Sequence, residues 1–225
     1  NKLWNAARFV LMHCEDFSID SEYAPKYDVE YWIVHRLHHT LSNVEEHFKN
    51  YRFDLVSQEL YEFTWEHYCD WFLEFSKTAF NSGDVAQRKS MQHTLLYILE
   101  NVLKALHPII PFITEEIWQN VAPKLNISGH SISLQRYPEA NNFGLYPAEA
   151  SDVAGLKATI IQIRSIRSQL NVPPSKLVPL VVEGDTHGYG LLGRHKEIIK
   201  LLTKLESIEP VIGEAPASAM AVLDR

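Results

Sequence analysis

The run Leu106 to Gln119, LHPIIPFITEEIWQ, sets two prolines inside an otherwise apolar, helix-like stretch. Pro108 lacks an amide proton and disfavours helical backbone at His107, so a helix arriving there must stop. The corner that follows, PIIPF, is wholly apolar. Thr114 is a suitable N-cap for a restart, and Glu115 and Glu116 meet the positive end of the new helix dipole. One greasy element becomes two, and so sharp an apolar turn predicts that both pack in one bundle.

The upstream hydrophobic period agrees, being helical from Asn1 to about Ala122. Leu3, Ala7, Val10, Leu11 and Cys14 form a first stripe, broken by EDFSIDSEYAPKYD. A second helix is expected to open with Asp28 as N-cap and to bury Ile33, Leu37, Leu41, Val44 and Phe48. The third, Asp54 to about Phe80, has Tyr61, Trp65, Tyr68, Phe72 and Phe75 as its main stripe. NSGD ends it, and Asp84 with Gln87 makes a capping-box-like start for the fourth. Met91, Leu95, Leu99, Val102 and Leu106 carry that helix. After Val121 the texture turns rich in Pro, Gly, Asn and Ser, with one strand-like piece, SISL. A boundary near Pro147 divides a helical domain, 1–147, from a small α+β module, 148–225. In the module a helix from about Glu149 to Leu170 is halted by NVPP. LVPLVVEG reads as a strand, the segment to about Leu205 as a second helix, and IEPVIG and AMAVLD as short strands. The fold class is mainly α.

Several functions are disfavoured. No apolar run reaches the roughly 18–20 residues of a membrane span, and no signal-peptide pattern opens the chain. It starts at Asn1, mid-pattern, and reads as a piece of something longer. The formal net charge of −7 argues against a generic polyanion binder. Cys14 and Cys69, without CxxC spacing, read as buried reduced thiols in a cytoplasmic protein. His35, His38 and His39 lie away from the apolar stripe and read as a solvated face, and HExxH is absent. The members of HYCD, His67 to Asp70, point in different directions on one helix. With no phosphate-cradling glycine loop, no GxSxG and no paired carboxylates, nothing here looks catalytic.

Residues off the stripes are more informative. Phe9 lies roughly 200° from the buried side of the first helix, beside Lys2, Asn5 and His13. An aromatic flanked by a cation and an amide suits an unpaired base, although from geometry alone packing against a neighbouring helix is the better explanation. Leu73 lies off the third stripe among Glu66, Asp70 and Lys77, and Trp71 off the other side. Arg164 and Arg167 share one helix face, with Lys157 further back, as a phosphate-facing patch or as ordinary solvated arginines.

NKLWNAARFVL at 1–11, LYEFTWEHYCDWFLEFSK at 60–77, LHPIIPFITEEIWQ at 106–119 and IRSIRSQLNVPP at 163–174 resemble the valine–tRNA ligases. The match is to the C-terminal part of these class I synthetases, namely the helical anticodon-binding domain and the module after it. The isoleucine enzymes carry RNTxRF and a different proline corner, and many end in a cysteine-rich zinc module. The resemblance implies a parent that joins valine to its tRNA with ATP and Mg, while HIGH- and KMSKS-type motifs are absent from this chain. It implies as partners the valine tRNA anticodon stem-loop and the remaining synthetase domains. It implies Phe9 as a stacking platform, Lys2 on a phosphate or base edge, Asn5 on a base edge and Leu73 as an apolar wall. Lys77 joins that interface, and Arg164 and Arg167 are possible phosphate contacts. No metal or cofactor is expected within the chain. A helical protein–protein adaptor is the alternative; a histidine-rich metal bundle is a distant third.

Overall fold

The computed structural model describes residues 1–20, 22–183, 190 and 192–211. The chain divides into two compact units, Asn1–Ala150 and Ser151–Arg225.

The first unit is built on α1 (Lys2–His13), α2 (Asp28–Lys49), α3 (Phe53–Glu62), α4 (Leu73–Asn81), α5 (Val85–Leu106) and α6 (Pro111–Val121). Helix α5 is its axis. The expected stripe residues Met91, Leu95, Leu99, Val102 and Leu106 are buried, but so are Leu96, Ile98 and Leu103. A helix apolar on every side has neighbours on every side. Its start follows the sequence: one Asp84 carboxylate oxygen accepts from the amides of Ala86 at 2.8 Å and Gln87 at 3.1 Å. Its stop does too, with His107 as C-cap before Pro108.

Helix α6 departs from expectation. It opens at Pro111, with Ile110 as the cap residue. Proline suits the first helical position, where its missing amide proton costs nothing. Thr114 therefore lies inside the helix, where its buried hydroxyl donates back to the Ile110 carbonyl at 2.9 Å. Similarly, α2 has Tyr27 as its cap residue, with Asp28 already in the first turn.

Between α3 and α4 the helix is wider. Residues Phe63–Phe72 form a π-helical segment, whose i→i+5 bonds rotate every later side chain relative to an α-helical projection. Tyr68, Phe72 and Phe75 are buried as expected, while Tyr61 is exposed and Trp65 half-buried; Phe63 and His67 take the inner positions. Of the three α2 histidines expected on a solvated face, His39 is exposed, while His35 and His38 are half-buried and bonded. His38 Nδ1 donates to the Phe143 carbonyl at 2.8 Å, and the Tyr146 amide donates to His35 Nδ1 at 3.0 Å. Both pin the segment that follows α6. That segment holds short 3-10 turns, and SISL, expected as a strand, supplies one of them at Ile132–Leu134.

Helix α7 (Pro147–Gln169) crosses the unit boundary. In the second unit, β1 (Val178–Val182) pairs in parallel with β2 (Leu205–Pro210), Leu180 opposite Ile208. A parallel pair needs a crossover, and α8 (Lys196–Thr203) lies within it. Lys204, with φ of 54°, reverses the chain from α8 into β2. Of the strand expectations, IEPVIG is met in part by β2, and AMAVLD lies outside the described residues. No helix among the described residues is long and apolar enough to cross a membrane.

Candidate nucleic-acid interface

Helix α1 buries Leu3, Ala6, Ala7 and Val10. Small alanines allow close approach, and the opposite face is left to solvent. On that face Trp4, Asn5, Arg8 and Met12 are all exposed or partly so, Trp4 at 42% and Met12 at 65%. Trp4, Arg8 and Met12 follow one another at four-residue steps, so they form a continuous ridge. Arg8 has no hydrogen-bond or ion-pair partner among the described residues. An indole, an amide and a guanidinium with free donors suit base stacking, a base edge and a phosphate respectively.

At one edge of this ridge, Lys2 joins α1 to the π-helical segment. Its Nζ lies 2.5 Å from Asp70 Oδ1 and 5.7 Å from the centre of the Trp65 ring. Trp65 stacks on Tyr61 at 4.5 Å with an 18° tilt, and Tyr61 is 56% exposed. An aromatic pair thus stands at the junction of α3 and the π-helical segment, beside the cation of α1.

The residues expected at the interface are placed in different ways. Lys2 and Asn5 lie on it, Lys2 already engaged. Phe9 is half-buried, its ring 4.1 Å from that of His13, which in turn lies 4.5 Å from Phe80. It belongs to an aromatic trio tying α1 to α4, with one edge open. Leu73 is 8% exposed and belongs to the core. The α-helical projection that placed it outside ignored the preceding π turns. Lys77 is half-buried and pairs with Glu74 at 2.5 Å.

Arg164 and Arg167 spend donors on backbone. Arg164 donates to the Leu202 carbonyl, and Arg167 to those of Lys204, Pro173 and Lys176. These guanidiniums hold the end of α8 and the turn before β1. Their placement favours the structural alternative over a phosphate patch.

Sequence reasoning missed Trp4, Arg8, Tyr61 and Trp65. Arg8 was accessible to it, its angle on α1 lying well away from the buried stripe, whereas Trp4 sits nearer the stripe's edge. The second two depended on the π turns, which no side-chain period announces.

Titration within the bundle is governed by burial. It pushes the Cys14 thiol up to about 12 and that of Cys69 to about 11, and it raises the Glu30 carboxyl. Among the described residues no cluster of three or more His, Cys, Asp or Glu side chains could hold a metal ion. The arrangement can bind and orient.

Comparison with known proteins fits this geometry. The family described as the anticodon-binding domain of tRNA ligase matches residues 30–182. A valine–tRNA ligase of Stenotrophomonas maltophilia strain K279a is 46% identical over 99% of this chain and 24% of its own length. One from Xanthomonas oryzae pv. oryzae strain PXO99A is 43% identical over 99% of this chain and 23% of its own. A third, from Xanthomonas campestris pv. campestris strain B100, is 42% identical over 99% and 24%. The chain spans about a quarter of the length of these curated relatives and matches their C-terminal region.

Proposed function

The chain belongs to the anticodon-binding family of tRNA ligases, and from that premise we propose that its bundle reads the anticodon of valine tRNA within a valine–tRNA ligase. The observation that carries this reading is the solvent face of α1, where Trp4, Asn5 and Arg8 stand together and Arg8 has free donors. Valine codons are GUN, so the reader must recognise the A and C of an NAC anticodon and ignore the wobble base. Loop bases are read by splaying them out, stacking them on aromatics and bonding their edges. Trp4 and the open edge of Phe9 supply stacking, Asn5 an amide for a base edge, and Arg8 and Lys2 the cations. The Tyr61–Trp65 pair extends the aromatic surface past Lys2.

Joining valine to tRNA, with its ATP and magnesium, is assigned to the remainder of the parent ligase, in the cytoplasm. The chain's own contribution is positioning. A rigid bundle around α5 holds α1 and the π-helical segment at fixed separation, as a selective reader requires. The net charge of −7 disfavours indiscriminate RNA binding.

The test is a titration with a valine anticodon stem-loop beside loops altered at the A or the C. Selective loss with altered loops is expected, together with weaker binding of the valine loop in Trp4→Ala and in Arg8→Ala. Equal binding to every loop, unaffected by both substitutions, would overturn the assignment to α1.

A further inference from the structure

A cavity of about 620 Å³ lies in the first unit, within the ~300–1,000 Å³ range of small-molecule sites. No residue of α1 or of the π-helical segment lines it, so it is separate from the interface proposed above. The chain before α2 gives it Tyr23, the segment after α6 gives Phe143 and Tyr146, and α5 gives its polar groups. His35 and His38 hold the second of these walls from α2, through the Tyr146 amide and the Phe143 carbonyl. The walls are aromatic. Tyr23 stacks on Tyr97 at 4.1 Å with a 20° tilt, the His93 ring is 5.1 Å from Tyr23, and Phe143 is 5.9 Å from Tyr97. Flat rings with polar edges suit a flat ligand.

Inside, Asn101 has an unused acceptor. The residue is 5% exposed. Its Nδ2 donates to the Tyr97 carbonyl at 2.9 Å, which fixes the orientation of the amide. Its Oδ1 accepts no hydrogen bond among the described residues, yet is not sealed in the core. An acceptor so placed is costly to leave unpaired, and it marks a position for an incoming N–H. Lys104 lies one turn away, with Nζ 2.9 Å from Glu100 Oε2. An ammonium has three donors, so Lys104 keeps donors for a ligand while its charge is already balanced.

Charge narrows the class of ligand. A buried ion without a counter-ion is strongly disfavoured. An amine would need a free carboxylate, and both oxygens of Glu100 are engaged, Oε1 by the Trp118 indole N–H at 3.2 Å and Oε2 by Lys104. A phosphate would need an unpaired cation, and would meet Glu22, exposed at the rim, instead. Burial also holds the His93 imidazole below its usual value, so that it is uncharged at neutral pH. We propose that this cavity binds a neutral heteroaromatic ligand of the nucleoside class, its base held among the aromatic walls. A base N–H donates to Asn101 Oδ1, and a ring nitrogen or carbonyl accepts from Lys104 Nζ. The ligand joins the chain before α2, the central helix and the segment after α6, and so braces the bundle. The inference goes beyond anticodon reading and does not rest on it.

The test is equilibrium dialysis of the full-length parent ligase, free of RNA and with valine and ATP in excess to fill the site of ligation. The probes are labelled guanosine and cytidine, at up to about 1 mM, the weak end of specific affinity. One equivalent of at least one nucleoside is expected to bind. Its Kd should rise tenfold or more in Asn101→Leu, and binding should be lost in Asn142→Trp. Asn142 is an exposed residue of the cavity lining, so this second substitution blocks entry without touching the core and gives the answer should Asn101→Leu fail to fold. The 5′-monophosphate of the same nucleoside should bind at least tenfold more weakly. Failure of both nucleosides to bind, binding unchanged in both variants, or a preference for the monophosphate would each overturn the proposal. Because no RNA is present, these outcomes are independent of the stem-loop titration.

Discussion

Lys2 and Asp70 form an ion pair of 2.5 Å that joins the first turn of α1 to the π-helical segment, with the lysine also over the Trp65 ring. Both side chains are substantially exposed, at 33% and 58%, so the pair contributes roughly 0–1 kcal/mol to stability. Its effect is expected on RNA binding. Asp70→Asn removes a carboxylate from the proposed interface and releases the lysine toward phosphate. Stem-loop affinity should rise at low salt and the salt dependence should steepen, while Tm stays within a degree or two. Weaker binding in Asp70→Asn would show that the carboxylate itself contacts the RNA.

The Asp84 cap secures the start of the central helix. Its carboxylate accepts from two amides of the first turn of α5. Asp84→Ala should cost about 1 kcal/mol, seen as a lower urea midpoint at unchanged slope. An unchanged midpoint would mean that α5 is held by packing alone.

What the sequence made visible was local chemistry: the Asp84 cap, the stop at Pro108, the stripe of α5 and the strand at Val178–Val182. Each depends on residues a few positions apart. Two kinds of feature escaped. The π turns at Phe63–Phe72 put Tyr61, which precedes them, out of phase with the buried Tyr68, Phe72 and Phe75 and took Leu73 inside, because a change in helical pitch breaks a single projected stripe without altering composition. Partner choice also escaped. His35 and His38 face the segment after α6, and Arg167 faces carbonyls near β1, and no spacing within their own helices shows either. At the candidate site, Asn5 and Lys2 were legible from angles on α1. Arg8 was legible too, had the whole exposed face been considered instead of its one phenylalanine, while Trp4 sits nearer the edge of the buried stripe.

Glu30 makes stability depend on pH. It is fully buried between α2 and α5, with Oε2 accepting from the Lys26 amide at 2.9 Å and from the Ser90 hydroxyl at 2.8 Å. Burial pushes its carboxyl above the ordinary 4.5, against the smaller opposing effect of those bonds. A raised carboxyl favours the protonated form in the folded state. Its stabilising contribution is therefore complete below the unfolded value and lost as pH rises through the folded one. Glu30→Gln cannot titrate. The Tm difference between the two proteins should move in favour of Glu30→Gln as pH is raised from about 4 to about 8. A constant difference would place the folded pKa at its ordinary value.

The two thiols should be inert in the folded protein. With Cys14 pushed up to about 12 and Cys69 to about 11 by burial, about one in a thousand or fewer is ionised at pH 8, and the thiolate is the reactive form. Ellman's reagent at that pH should react with neither until denaturant is added, and then with both. Rapid reaction of one thiol in the native protein would reveal local opening, of α1 for Cys14 or of the π-helical segment for Cys69.

Arg8 separates phosphate contact from base reading. As a phosphate ligand it contributes to every loop alike. Arg8→Ala would then weaken all stem-loops equally and reduce the slope of log K against log salt by about 0.7, the single-strand value for one cation. As a base reader its loss would flatten the preference for A and C while leaving weak loops unchanged, and Arg8→Lys, which keeps the charge but loses the planar fork, would fail to restore it. The exposed position four residues from Trp4, with no partner among the described residues to fix the guanidinium, favours the first outcome. A base-reading arginine is normally held in plane by a neighbour, and α1 offers Asn5 and Met12 there, neither of them an acid. Equal weakening across loops, together with rescue by Arg8→Lys, is the expected result. A loss of selectivity that Arg8→Lys does not rescue would transfer the base-reading role from Asn5 to Arg8.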